Sequence, residues 1–199
     1  MYQVILASGS PRRKEILEQC GILFRVQKSE KEEIITKSEP AEVVKELSYT
    51  KAADIAEQVT DEKCIILGAD TIVADGNRIL GKPEDKEDAF QMIQSLQGHA
   101  HSVFTGVTLL IKDGESIKKR VFTEETRVEI APMNEEEIWD YIQTGEPMDK
   151  AGSYAIQGKF ACYVKGIQGD YYNVVGLPIN RIMEELKKEE IDLKKDCKK

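Results

Sequence analysis

The sequence predicts an α/β fold, a mixed twisted β-sheet with flanking helices, and three observations carry that expectation. The apolar run at residues 4–7 is followed by Gly9, Ser10 and Pro11 and then by a helical stretch, which makes a strand, loop and helix unit. Two extended stretches, 102–111 and 118–130, flank the turn Lys112-Asp113-Gly114-Glu115 and read as a long antiparallel hairpin. At 199 residues with 41% hydrophobic content, the chain is long enough to bury a substantial core. Crossover units and hairpins in one chain imply a sheet of mixed direction with helices on its faces.

Each element follows in order. The first helix runs from about Pro11 to Cys20 and is stopped by Gly21. Residues 23–26 read as a short strand, and a polar, acidic stretch at 29–39, containing Glu32 and Glu33, separates it from a long helix at about 40–59. That helix carries Val44, Leu47 and Ile55 on one face, with Ala52 and Val59 at its edge. A buried strand at 64–67 continues through Gly68-Ala69-Asp70-Thr71 into Ile72-Val73. The turn Asp75-Gly76-Asn77 leads to Ile79-Leu80 and the loop Gly81-Lys82-Pro83, a hairpin pattern. A helix at 85–96 turns Ala89, Met92, Ile93 and Leu96 inward, with Gly98 just past its end. Asn134 caps a helix through Ile142, ended by Gly145. Residues 149–158 are loop-like, 162–167 and 172–175 read as strands, and Pro178 opens the final helix. With no internal repeat and no linker, the chain reads as a single domain over 1–199, with two lobes around a substrate cleft as a variant of that reading. The basic stretch at 192–199 is expected to be a frayed, solvated end.

Composition narrows the function. No run of about 18 apolar residues is present, and the first residues lack the basic and apolar regions of a signal peptide, so no membrane partner and a cytoplasmic location are expected. Cys20, Cys64, Cys162 and Cys197 are scattered without a C-x-x-C pair, which points to neither a zinc cage nor a disulfide framework. The first three are expected to be small buried hydrophobes. His99 and His101, two apart, would share one face of a surface strand, and no third ligand stands nearby in sequence. The formal charge of −8 argues against a nucleic-acid partner. An anionic substrate then needs concentrated positive charge, and Arg12-Arg13-Lys14, Lys51 and Lys82 offer it.

Three places break local rules. Arg12 and Arg13 sit in the first turn of a helix, where the macrodipole disfavours each cation by roughly 0.3 to 1 kcal/mol. A phosphate held by loop N–H groups and guanidinium forks would compensate; a solvated basic face with Ser10 as N-cap is the alternative, and no Walker A pattern is present. Lys51 lies inside the apolar stripe of its helix, either snorkelling to water or reaching a bound anion. Asp70 is set between apolar runs, so its carboxylate must be metal-bound, paired, or exposed at a strand end. Lys82, between Gly81 and Pro83, sits on a loop stiff enough to aim an ammonium.

In this order the chain carries L-A-S-G-S-P-R-R at 6–13, G-A-D-T at 68–71, G-K-P at 81–83, T-G-V at 105–107, G-E-P-M-D-K-A-G-S-Y-A-I-Q-G at 145–158 and V-V-G-L-P at 174–178. Over nearly its whole length it resembles the Maf family, named for its link to septum formation and related in architecture to inosine triphosphate pyrophosphatases. The resemblance implies hydrolysis of a nucleoside triphosphate between its α- and β-phosphates with a divalent cation, Mg²⁺ or Mn²⁺, and a homodimer as a family-level expectation. By the same resemblance Asp70 is the catalytic proton acceptor, Ser8, Arg13, Lys51 and Lys82 contact phosphate, and Glu33 joins Asp70 at the metal, with Glu32 one position away. Arg12, Thr71 and Gln157 match the branch acting on dTTP and UTP, whereas the 7-methyl-GTP branch typically has Gln after the catalytic Asp. A side-chain amide such as that of Gln157 suits the O4 acceptor and N3–H donor of uracil and thymine. Two other readings are a nucleotide-binding regulator of septum formation without catalysis and a 7-methyl-GTP pyrophosphatase.

Overall fold

A computed structural model of the chain describes residues 1–198. Strand β1 (Tyr2–Leu6) leads into helix α1 (Pro11–Gln19), with proline in its first turn and Gly21 at φ +67° just beyond its end. After β2 (Arg25–Val26), a loop without regular structure reaches α2 (Pro40–Gln58). Then come β3 (Lys63–Asp75), β4 (Arg78–Leu80) and α3 (Lys86–Leu96), whose first turn is capped by the Asp85 carboxylate accepting from the Asp88 N–H. Strands β5 (Ala100–Asp113) and β6 (Ser116–Ile130) form the long hairpin, and Asn134 and Glu137 close a capping box on α4 (Glu135–Gln143). Short 3-10 turns at Glu146–Asp149, Ala151–Ser153 and Lys159–Tyr163 precede β7 (Val164–Gln168), α5 (Tyr171–Val175), α6 (Ile179–Lys187) and β8 (Cys197–Lys198).

Among the described residues the sheet has eight strands in the order β2-β1-β3-β5-β6-β7, with β4 beside β3 and β8 beside β1. Strand β1 runs parallel to β2, β3 and β8, and all other pairings are antiparallel. This is the mixed α/β sheet the sequence predicts. One edge of β3 is shared: its residues 64–67 pair with β1 and its residues 73–75 with β4. Between them, residues 68–72 pair only with β5. The cleft opens along this unpaired edge, beyond the carboxyl end of β1, where open α/β sheets commonly bind ligands.

Alternation along β3 sends neighbours to opposite faces. Ile66 packs with Ala52 and Ile55 of α2, and Ile72 with Val43, Val44 and Leu47. Ile65, Leu67 and Ala69 instead meet Ile16 and Leu17 of α1 and Ile182 and Leu186 of α6. A further apolar cluster joins α3 and α4 to Val103, Val128, Ile130 and Phe160 at the far end of the long strands. Helix α2 lies almost on the sheet backbone. A Cβ at Gly68 would overlap the Ser48 carbonyl, and one at Gly106 the Val44 carbonyl.

Several local expectations are corrected. Residues 172–175 belong to helix α5, because Asp170 accepts from the Tyr172 N–H and Gly176, at φ +124°, ends the turn. A short run rich in valine reads alike in a strand and in a buried helix. The strand expected at 162–167 begins at Val164, after a 3-10 turn. The tail expected to fray docks instead: Leu193 and Cys197 are buried and β8 adds to the edge of β1; Lys199 lies outside the described residues. Cys162 is exposed and Cys20 half-buried, whereas Cys64 and Cys197 are buried. His99 precedes β5 and is exposed, while His101 is buried at 3% exposure, so the two do not form a surface pair. No helix among the described residues is long and apolar enough to cross a membrane.

Candidate functional site

Asp70 stands in the middle of the stretch of β3 that pairs only with β5, on the face toward α2. Because Gly68 and Gly106 let α2 come down onto the sheet, Lys51 reaches across and its ammonium pairs with Asp70 Oδ1. The same ammonium lies 2.9 Å from Glu33 Oε1, on the acidic loop before α2. Lys51 thus neither snorkels to water nor points into the apolar stripe; a mostly buried ammonium joins two carboxylates from separate elements. Asp70 is paired as burial requires, with its Oδ1 engaged.

Thr71, the next residue, faces the opposite side and meets α1. Arg13, only 8% exposed, donates from Nε to the Gly176 carbonyl at 2.8 Å, from one terminal nitrogen to Ser8 Oγ at 2.9 Å and from the other to Thr71 Oγ1 at 3.0 Å. Thr71 Oγ1 also lies 2.9 Å from Thr105 Oγ1. Burial lowers the pKa of Arg13, while the Asp70 carboxylate pulls it back up. The solvated-face alternative fails here, since Arg13 is enclosed and Ser10, at the N-cap, gives α1 no side-chain cap. Among the described residues three of the five guanidinium N–H groups are engaged, which leaves two unspent.

The cleft has a volume of about 800 Å³, and all nine sequence-predicted site residues line it: Ser8, Arg12, Arg13, Glu33, Lys51, Asp70, Thr71, Lys82 and Gln157. Arg12 is half-buried, and Lys82 and Gln157 are exposed. The sequence reading missed Lys28, Asp149, Lys150 and Tyr154, which also line the cleft. Lys28 packs over Gly9, and Lys150 pairs with Asp149. The Lys150 hydrogen bond, aided by the charges of Lys150 and Arg12, lowers the pKa of Asp149. Lys150 and Tyr154 lie within the G-E-P-M-D-K-A-G-S-Y-A-I-Q-G stretch, so that motif was their signal; Lys28 stands in no pattern.

No group of three His, Cys, Asp or Glu side chains converges among the described residues. Asp70 and Glu33 bring carboxylate oxygens around one shared cation, the Lys51 ammonium. Such a pair fits a small hard cation that takes one or two protein carboxylates and completes its shell with phosphate oxygens and water, and does not fit an all-protein cage.

The Maf-like protein family profile matches residues 3–189. A dTTP/UTP pyrophosphatase of Lachnoclostridium phytofermentans is 54% identical over 98% of this chain and 99% of its own length. One from Agathobacter rectalis is 51% identical over 97% and 100%, and one from Bacillus anthracis 50% identical over 97% and 98%. Among solved structures, the Staphylococcus aureus Ham1 protein aligns with a TM-score of 0.49 at 15% identity, covering 94% of this chain and 99% of that one. With the profile spanning the elements that build the cleft and full-length relatives at half identity, the chain belongs to the Maf-like protein family.

Proposed function

We propose that this protein hydrolyses dTTP and UTP to the nucleoside monophosphate and pyrophosphate. The observation that carries the reading is the Glu33–Lys51–Asp70 cluster at the open edge of β3, facing the uncapped start of α1 across one cleft. Relatives of the same length named for that activity support the substrate class.

Triphosphate would lie along the α1 side of the cleft, taking N–H groups at the helix start and the two unspent donors of Arg13, with Lys82 approaching from the other wall. A water oxygen attacks the α-phosphorus, the bond from that phosphorus to the bridging oxygen breaks, and pyrophosphate leaves with the electron pair. Asp70 takes the water proton at Oδ2, since Lys51 holds Oδ1. Lys51 and Lys82 offset the charge of the leaving pyrophosphate. A divalent cation, Mg²⁺ or Mn²⁺, would be held by Asp70 and Glu33 and would supply further neutralisation of the phosphates. Ser8 and Thr71 act through Arg13, which both hold.

Gln157 presents an amide to the cleft at the turn before Gly158, where its donor and acceptor match uracil and thymine. Cytosine reverses that pattern and leaves groups unpaired, at roughly 1 to 3 kcal/mol each. Arg12, half-buried in the cleft lining, completes the selecting set. The test is a panel of triphosphates with Mg²⁺ or Mn²⁺. dTTP and UTP should yield pyrophosphate and be turned over faster than CTP, GTP or 7-methyl-GTP. Release of orthophosphate, or binding of nucleotide without turnover, would sink the reading.

A further inference from the structure

His101 and Tyr154 are a buried polar pair that the chemistry above does not use. His101 Nε2 lies 2.7 Å from the Tyr154 hydroxyl, with the rings edge to face at 5.3 Å. His101 is 3% exposed and Tyr154 5% exposed, yet Tyr154 lines the cleft. Nδ1 of His101 has no partner among the described residues. Either tautomer of the ring makes this bond, His101 donating from Nε2 or Tyr154 donating from its hydroxyl. A buried imidazole with a single bond, spent on one tyrosine, calls for an explanation.

The surroundings of Tyr154 supply it. Ser153 holds a left-handed backbone at φ +60°, a conformation that costs a non-glycine residue energy and persists where its neighbours enforce it. Its hydroxyl points at Met92 Sδ, 3.1 Å away. Gly152 donates from its N–H to the Gly81 carbonyl at 2.9 Å, tying this segment to the loop that carries Lys82. The Tyr154 ring packs on Phe160 with centroids 5.0 Å apart. Gln157 follows three residues later in the same wall. The segment is therefore fastened to the sheet by the hydroxyl of Tyr154 and to Lys82 by the backbone of Gly152.

The geometry points to Tyr154, held by His101 of β5, as the positioning residue that sets the wall of the cleft bearing Gln157 and Lys82 against the nucleobase. This inference rests on the proposed pyrimidine nucleotide site. It concerns nucleotide fit rather than the bond-breaking step, because neither side chain hydrogen-bonds Asp70 or Lys51 among the described residues, and Lys82 stays tied through the Gly152 backbone when the Tyr154 hydroxyl is lost.

Tyr154→Phe removes only the hydroxyl, and His101→Phe only the partner. Each should raise KM for UTP and dTTP roughly five- to tenfold, with kcat within about twofold, as expected for loss of one buried hydrogen bond. The preference for UTP over CTP should shrink by a similar factor. The double variant should be no worse than either single one, because both remove the same bond. His101→Gln, which keeps both a donor and an acceptor, should restore most of the KM. Unchanged KM and selectivity in Tyr154→Phe, or a lowered melting temperature with no change in KM, would overturn the inference. Should His101→Phe fail to fold, Tyr154→Phe still decides, since its ring remains. Wild-type protein that releases no pyrophosphate overturns the proposed function instead. Binding of α,β-methylene-dTTP to wild type and Tyr154→Phe then reads the wall alone, and equal Kd values count against it.

Discussion

Lys51 occupies a helix position that the apolar stripe would give to a leucine, and its ammonium is held by two carboxylates, one from β3 and one from a loop. Asp70 is thereby oriented. Asp70→Asn keeps the shape but removes the proton acceptor, and turnover of UTP should fall roughly 100- to 10,000-fold with the fold retained. Steady-state rates and a circular dichroism melt check both halves. His101 carries a different consequence. Burial, with the nearby His99, lowers its pKa from 6.5 to about 4. The unfolded chain therefore binds a proton below about pH 6.5 that the folded chain refuses until about pH 4, so stability falls as pH drops through that window. At about pH 5 this group alone should cost about 2 kcal/mol relative to pH 7. Urea midpoints at both pH values should converge when wild type is compared with His101→Gln; an equal acid loss in the variant would exclude His101 as the cause.

Helix α2 reaches the sheet because two glycines remove the Cβ atoms that would stand in its way. Gly106→Ala should push α2 off β5 at Val44, destabilise the protein by roughly 1 to 3 kcal/mol and displace Lys51 from Asp70. Denaturant midpoint and kcat should fall together; a loss of stability with full kcat would show that Lys51 placement does not depend on this contact. The cap at Asn134 was readable from the sequence because it is local, a side-chain oxygen meeting an N–H three residues on. Helix α5 was not, because the Asp170 cap and the Gly176 exit enclose only five residues, too few for periodicity to show.

The whole chain bears a formal charge of −8, yet the cleft gathers Arg12, Arg13, Lys28, Lys51, Lys82 and Lys150 against Glu33, Asp70 and Asp149, an excess of three positive charges. A cationic cleft in an acidic molecule focuses the field on an anionic ligand and loses that advantage as salt screens it. Raising ionic strength from about 0.05 to 0.5 M should lower kcat/KM for UTP several-fold, chiefly through KM. A salt-independent KM would show that contacts, not the field, capture the triphosphate.

The sequence by itself determined most elements, because strand alternation and helix caps are written in neighbouring positions, and through the resemblance of its ordered motifs it marked nine of the residues that line the cleft. It also placed Asp70 and Lys51 as residues that needed partners, though not with each other. Only the tertiary structure decided that one lysine serves two carboxylates, that Arg13 is strapped to Ser8, Thr71 and Gly176, and that His101 is buried on Tyr154. The tail likewise docks only because β1 offers it an edge. The reason is physical: charge pairing and burial depend on distances between segments far apart in the chain. Those distances are fixed by the sheet register and by the glycines beneath α2, which no local pattern reports.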